Sequence, residues 1–536
     1  MARSKRAVPV HSVEPFKGYV GLDRIHSVAK ARPTERMTSL VHHFNEANLR
    51  QAFQELDGSK APGIDRVTKE QYRKDLDSNV AALTKSIREE SYRPLPSRQV
   101  LIPKPQGGTR PLAVGSLQDK VVQTLAARIL EAVFEPLFSP RSYGFRPGKT
   151  AHQAVGRLNE NISLSQDTCT VVEMDIEKFF DSVNHETLMQ YLQTRIADPN
   201  FLRLIRILLR ADVLRVDGLT QATVLGTPQG SPVSPVLANI YLHFLLDAWF
   251  EENHAPSGRM VRYADDAVFV FRNGPAAERF RAALTARLAE GDLKLNLNKS
   301  AIVPFSRRSP KGTIAFLGFE LYWGRDAAKR RVLKLKTQPK RLGRSICSFT
   351  DWIKAYRNKW RLDDLWRTAR SKIVGHYNYY GVRSNSAKLD HFYFACVGAL
   401  FKWLNRRSQK HSFSWEQFER RLRFNPLPRP PFSEELRDVS SERNSDKHPP
   451  KSRMRENRKS GSVRSPGWQH PGLFHGRTVA AAAPATGPAP VPLSQRPRLR
   501  GDGDAGRVIA AVLELSQPFD QDGEDFLVAD VADDAA

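Results

Sequence analysis

Apolar residues at Val121, Val122, Leu125, Ala126, Ile129, Leu130 and Val133 fall three and four apart, which predicts an amphipathic helix over 118–137. Elsewhere apolar positions gather into short runs of strand length, at 98–103, 170–176, 294–303 and 314–323, and on both sides of Asp265. Helical spacing returns over 46–92, interrupted by the turn Lys60-Ala61-Pro62-Gly63-Ile64-Asp65, then in two helices within 185–212 and again at 276–290. The stretch 228–250 starts as a loop and becomes a strongly apolar helix. Strands and helices therefore alternate to about 325, the pattern of an α+β core. From 340 to about 424 the chain reads as helical and is rich in Arg, Lys, Trp and Tyr.

The two ends read differently. Residues 1–45 are basic and predict an irregular arm. The run Pro426-Leu427-Pro428-Arg429-Pro430-Pro431 stops the last helix, and residues 432–536 are polar and Pro/Ser/Ala-rich, a composition expected to be disordered.

Charge narrows the partners. The chain has 536 residues and a net charge of +26; ten acids and one Arg in 501–536 leave +35 on the rest. Such an excess favours a polyanion, and aromatics spread through the basic part favour nucleic acid over a membrane surface. Cys169, Cys347 and Cys396 lie far apart without CxxC spacing, so a zinc site or disulfide scaffold is not expected. No apolar stretch has the length of a signal core or membrane span, and a cytoplasmic location is expected.

Chemistry concentrates in two places. In Arg262-Tyr263-Ala264-Asp265-Asp266-Ala267-Val268-Phe269, adjacent carboxylates stand at the turn of a strand hairpin; an Asp pair there is also what a solvated turn uses. In Val171-Val172-Glu173-Met174-Asp175-Ile176, a third acid closes a buried strand, a position that also suits a helix cap. If the two strand units are neighbours in one sheet, Asp175, Asp265 and Asp266 form a carboxylate cluster whose hard oxygens suit two Mg²⁺ ions.

These two spans, in this order, resemble the A and C motifs of reverse transcriptases. Leu101-Ile102-Pro103-Lys104-Pro105 with Gly107-Gly108-Thr109-Arg110-Pro111-Leu112 is similar to the fingertip hairpin of bacterial group II intron enzymes. Ser142-Tyr143-Gly144-Phe145-Arg146-Pro147-Gly148 resembles their next block, and Gly226-Thr227-Pro228-Gln229-Gly230-Ser231-Pro232 the block before the catalytic hairpin. Leu295-Asn296-Leu297-Asn298-Lys299-Ser300 and Phe316-Leu317-Gly318-Phe319 match the two closing blocks. The sequence departs from that pattern at Arg66, at Ser231, where a second Gly is common, and over Ala113-Val114-Gly115-Ser116; none of these is an expected metal ligand.

The resemblance implies a right-hand polymerase with fingers and palm over 46–325. It implies that Asp175, Asp265 and Asp266 are catalytic metal ligands, and that Lys104 and Arg110 meet the incoming triphosphate, where cations offset developing charge. Phe180, five residues after Asp175, would exclude a 2′-hydroxyl and so select dNTPs. Gln229 would line the nucleotide pocket, Lys299 would protonate pyrophosphate as a general acid, and Phe316, Leu317 and Gly318 would form a primer grip. Tyr263 and Ala264 would lie near the primer end.

Trp366-Arg367 and Ile373-Val374-Gly375-His376-Tyr377-Asn378-Tyr379-Tyr380-Gly381 resemble the maturase domain that doubles as polymerase thumb, placed at 335–430. Aromatics at helical spacing there (Trp366, Tyr377, Tyr380, Phe401, Trp403) read as helix-bundle core, and the cations as the RNA contacts. Together these imply an RNA-directed DNA polymerase of a group II intron that also assists splicing, with RNA template, intron RNA, DNA primer or target and dNTPs as partners. A domesticated enzyme of antiviral defence, a CRISPR-associated enzyme and a non-catalytic splicing cofactor are the competing readings.

Overall fold

The computed structural model describes residues 16–103, 108–165, 168–407 and 413–430. Its strands, in chain order, are β1 (Ser97–Pro103), β2 (Thr109–Val114), β3 (Thr168–Met174), β4 (Val213–Leu214), β5 (Thr220–Gln221), β6 (Gly258–Tyr263), β7 (Asp266–Phe271), β8 (Ile302–Ser306), β9 (Ile314–Phe316), β10 (Phe319–Arg325) and β11 (Arg331–Thr337). They form three sheets, ordered β2-β1-β4-β5, β6-β7-β3-β8 and β11-β10-β9. Mixed with helices throughout, this is an α+β architecture.

The central sheet decides where the acids go. β3 pairs antiparallel with both β7 and β8, and Met174 stands opposite Ala267. Both faces of this sheet are covered, which is why its strands read as near-continuous apolar runs. Side chains alternate across a strand. Val172, Met174, Ala267, Phe269 and Phe271 enter one core, with the helices Leu117–Phe134, Ser234–Leu242 and Gly274–Glu290. Val171, Val268 and Val270 enter a second core with Phe316, Leu317 and the helices after 338. By the same alternation, Asp175 and Asp266 fall on the second face.

The helix expected at 118–137 spans Leu117–Phe134, capped by the Ser116 side chain. Other boundaries moved for local reasons. Of the expected 294–303 strand only Ile302 and Val303 pair with β3, as the start of β8, which runs on to Ser306; before it, Ile176 and Leu295 make a single bridge and the chain turns over Asp175. The expected 314–323 strand is two strands, broken where Leu317 and Gly318 both take left-handed φ (49° and 75°), the backbone of a two-residue hairpin turn.

The arm expected over 1–45 is corrected over its described part. Leu22–Ala31 is a helix, and Phe16, Leu22, Ile25, Leu40 and Phe44 are buried in the first core. Those apolar positions are sparse among charges, so their periodicity was hidden. Asp198 accepts from the Leu40 and Val41 amides (2.7 and 2.9 Å), and Arg195 donates to the Ala29 and Arg32 carbonyls (3.2 and 3.1 Å), which ties the segment down. The tail expected at 432–536 lies outside the described residues.

From 339 the chain forms the helices Pro339–Tyr356, Leu362–Tyr380, Ser386–Leu404 and Trp415–Phe424. Trp366, Tyr377 and Tyr380 are buried, and Phe401 and Trp403 are half-buried against the same core. His376 is 1% exposed, stacks on Phe392 at 3.8 Å, and has no partner for either ring nitrogen among the described residues. Burial holds its imidazole down at about 3, against 6.5 when free. The folded state therefore excludes a proton that the unfolded chain takes up below pH 6.5, so stability falls as pH drops through and below that value. Going from pH 7 to 5, this one group should cost about 2 kcal/mol, at 1.36 kcal/mol per pH unit. His376→Phe should flatten that dependence in thermal melts; an unchanged slope would remove His376 as its source.

Among the described residues, no helix is long and apolar enough to cross a membrane.

Candidate active site

β6 and β7 are joined by a two-residue turn, Ala264-Asp265, closed by the pair Tyr263 and Asp266. Ala264 holds φ at +56°, a region costly for any residue with a Cβ. Two neighbours hold it there. The peptide at Gly144 lies so close that a Cβ on residue 144 would stand 2.2 Å from the Ala264 nitrogen. From inside, Arg262 Nη1 donates to the Ala264 carbonyl at 2.8 Å.

Arg262 is fully buried. It forks onto Asp247, itself fully buried, at 2.7 and 2.5 Å, and donates to Asn239 Oδ1 at 3.0 Å; Asn239 in turn donates to the Gly144 carbonyl at 2.8 Å. A π-helical turn, His243–Asp247, interrupts the helix between Ser234 and Asn253 and ends on the acid that meets Arg262. The segment 141–144 joins the same unit through an isolated bridge of Ser142 with Arg262, with Arg262 N donating to Arg141 O (2.9 Å) and Tyr143 N to Arg262 O (2.8 Å). A closed polar network thus fixes the turn from below. Sequence reasoning missed it: a charge inside an apolar strand signals that a buried partner is needed, but not that the partner is Asp247.

Asp265 is 7% exposed. Burial, with the Asp175 charge added, pushes its carboxyl up to about 6, against the pull of a backbone hydrogen bond and the Arg110 and Arg262 cations. Asp265 and Asp175 are therefore electrostatic neighbours, and Arg110, on β2, reaches the same field. Asp175 is held by its own set: Asn296 Nδ2 donates to Oδ2 at 2.8 Å, Lys299 Nζ lies 3.6 Å from that oxygen, and Ser300 Oγ accepts from the Asp175 amide at 3.2 Å. Lys299 is brought to the acids although its side chain is 61% exposed. Among the described residues, no three His, Cys, Asp or Glu side chains converge tightly enough to hold an ion. What stands together is the Asp175–Asp265 pair, with Asp266 next along the turn. A carboxylate forced up by burial, with a like charge beside it, is a donor that a hard cation relieves, so these acids fit a divalent metal.

The loop Gly226–Gly230 covers one side. Gly226 N donates to Val183 O at 2.8 Å, Thr227 N to Phe180 O at 2.7 Å, and Ala113 N to Gln229 O at 2.8 Å, so the loop joins β2 to the Phe180 turn. Ser231, where the family pattern favours glycine, donates its hydroxyl to Gln123 Oε1 at 3.0 Å. Gln229 Nε2 points to Asp181 Oδ1 at 3.4 Å. Phe180 is 8% exposed, with most of its ring in the first core against Phe179. Lys104 lies outside the described residues.

On the other side is the Leu317-Gly318 turn. Tyr379 Oη donates to Leu317 O at 3.2 Å, Gln338 N to Gly318 O at 3.0 Å, and a Cβ on Gly318 would stand 2.7 Å from Tyr380 Oη. Ala315 N donates to Glu173 Oε1 at 2.7 Å, tying β9 to β3, the strand that leads into Asp175. Phe316 and Leu317 are both buried.

Residues 102–321 match the family described as reverse transcriptase (RNA-dependent DNA polymerase). The Escherichia coli K12 protein YkfC is 32% identical over 272 residues, covering 45% of this chain and 71% of YkfC. The chain belongs to the reverse transcriptase family. A 91 kDa protein in the cob intron of Schizosaccharomyces pombe is 43% identical over 164 residues, 30% of this chain and 20% of that protein. The group II intron-encoded protein LtrA of Lactococcus lactis subsp. cremoris is 30% identical over 226 residues, 42% of this chain and 37% of LtrA. The chain thus spans between a fifth and about a third of the length of these two intron proteins. The relatives include fungal and bacterial proteins, so the match to the reverse transcriptase family is not confined to bacteria. Asp175, directly after β3, and the acids at the β6–β7 turn all lie inside the matched region.

Proposed function

We propose that this protein is an RNA-directed DNA polymerase of the group II intron type that also acts as a splicing maturase. The observation that carries the polymerase reading is the pairing of β3 with β7, which puts Asp175 beside the Asp265 turn inside a reverse transcriptase region. Similarity to LtrA, named as a group II intron-encoded protein, supports the intron assignment.

In this reading Asp175, Asp265 and Asp266 hold two Mg²⁺ ions, which supply activation of the primer 3′-hydroxyl and stabilisation of the leaving pyrophosphate. The residues around them divide the remaining work. Arg110 and Lys104 bind the triphosphate, Gln229 lines the nucleotide pocket, and the exposed edge of the Phe180 ring excludes a 2′-hydroxyl. Lys299, 3.6 Å from Asp175, holds a proton near the leaving group. Phe316, Leu317 and Gly318 position the primer end through a turn locked by Tyr379 and Gln338. Fingers and palm occupy 46–325, and the helices from 339 serve as thumb and RNA-binding region over 335–430.

The test is extension of a DNA primer on an RNA template with dNTPs and Mg²⁺. Wild-type protein should extend it, should prefer dNTPs to NTPs, and should lose the reaction on Asp175→Asn. RNA binding without any extension would favour the non-catalytic cofactor instead.

A further inference from the structure

Four cations crowd one indole. Around Trp403, Lys354 Nζ lies 5.7 Å from the ring centroid, the Arg357 guanidinium carbon 5.0 Å, Lys402 Nζ 5.7 Å and the Arg406 guanidinium carbon 5.1 Å. Among the described residues, no carboxylate stands within ion-pair distance of any of the four. Asp363 and Asp364, close in sequence, hold Arg421 and Arg367 instead.

Part of this crowding has a structural cause. The C-terminal ends of helices Pro339–Tyr356 and Ser386–Leu404 meet here, with Arg357 Nε donating to Arg406 O at 3.3 Å. A helix C-terminus carries about half a negative charge. Two of them supply about −1 against +4, so most of the positive charge stays uncompensated. Cation–π contacts anchor the side chains but neutralise nothing. The same contacts occupy the ring, and the indole Nε1 is buried without a partner among the described residues. Trp403 is therefore an anchor for the cations and not a surface for base stacking, which makes the patch a reader of charge.

We propose that Lys354, Arg357, Lys402 and Arg406, organised by Trp403, bind the phosphodiester backbone of RNA lying outside the catalytic cleft. The placement follows from helix length. The Pro339–Tyr356 helix starts beside the Leu317-Gly318 turn, through the Gln338–Gly318 hydrogen bond. At 1.5 Å per residue, Lys354 lies roughly 24 Å along the helix from that turn. That is too far to touch a primer end held at the turn. The cluster rests on the function proposed above only in taking RNA as the polyanion.

The experiment measures salt dependence of binding to a long structured RNA by the full chain and by a K354Q/R357Q/K402Q/R406Q variant. Each lost phosphate contact removes 0.7–0.9 from the slope of log K against log salt, so the variant should be shallower by about 3. K354Q/K402Q, which alters only exposed lysines, should be shallower by about 1.5 under the same rule. Melting temperatures should hold or rise, because mutual repulsion is relieved. Extension of a short primed RNA template should stay within about twofold of wild type, since a site that far from the chemistry adds affinity and not rate. An unchanged slope in the well-folded variants overturns the site. A slope loss matched by equal loss of short-template extension overturns its placement outside the cleft. If wild-type protein extends no primer, the polymerase reading fails while the slope still decides the cluster.

Discussion

Arg262→Ala is expected to be the most destabilising single change near the active site. It would leave Asp247 buried with no cation to answer it, and would free the Ala264 carbonyl and Asn239. Removing one partner of a buried ion pair costs about 3–5 kcal/mol. The variant should unfold at markedly lower denaturant, and any folded fraction should have lost incorporation, because the turn bearing Asp265 loses its inner support. Arg262→Lys separates charge from geometry. It answers Asp247 but cannot reach Asp247, Asn239 and Ala264 at once, so it should recover much of the stability and little of the rate. Full activity in Arg262→Lys would show that the fork does not position the turn.

Gly144→Ala should act in the opposite proportion. The added methyl meets backbone, the Ala264 nitrogen at 2.2 Å and the Tyr263 carbonyl carbon at 2.8 Å, so no side chain can swing aside. The hairpin turn must shift. A displacement of about 1 Å at a reacting group can cost about 100-fold in rate. Single-turnover incorporation should fall by that order, with the fold kept. A rate within a factor of about three of wild type would mean that the turn tolerates displacement and that its close seating is incidental.

Both predictions concern residues that the chain gives little reason to choose. The region matched by the reverse transcriptase family was readable because its motifs are local: the apolar run leading to Asp175, the doublet at 265–266, the helical period over 121–133. Pairing between them needed only one bet, that β3 and β7 are neighbours, and the register of Met174 with Ala267 answers it. Asn239 and Asp247 lie 23 and 15 residues before Arg262, on a helix whose π-turn no periodicity announces. The N-terminal helix Leu22–Ala31 was hidden for a different reason. Its buried face has only Leu22, Ile25 and Ala29, and tertiary packing stabilises what local pattern leaves undecided. Arg66, one of the departures from the resembled pattern, holds φ at +57°, in the left-handed region that favours glycine. An arginine there costs about 1 kcal/mol.

The acids show the same division. Three carboxylates could be named from sequence, but not that Asp265 would be buried while Asp175 is steadied by Asn296, Lys299 and Ser300. Such holding groups belong to a different block of the chain and become neighbours only when β8 docks on β3.

The most direct test of this account is single-nucleotide incorporation on a primed RNA template by wild-type protein and D265A/D266A, read together with their melting temperatures. Removing a buried carboxylate that Asp175 repels should leave the fold as stable or more so, RNA binding should persist, and incorporation should drop below detection. Incorporation within tenfold of wild type, from a variant that is folded and bound to RNA, would contradict the assignment of these acids as the catalytic centre.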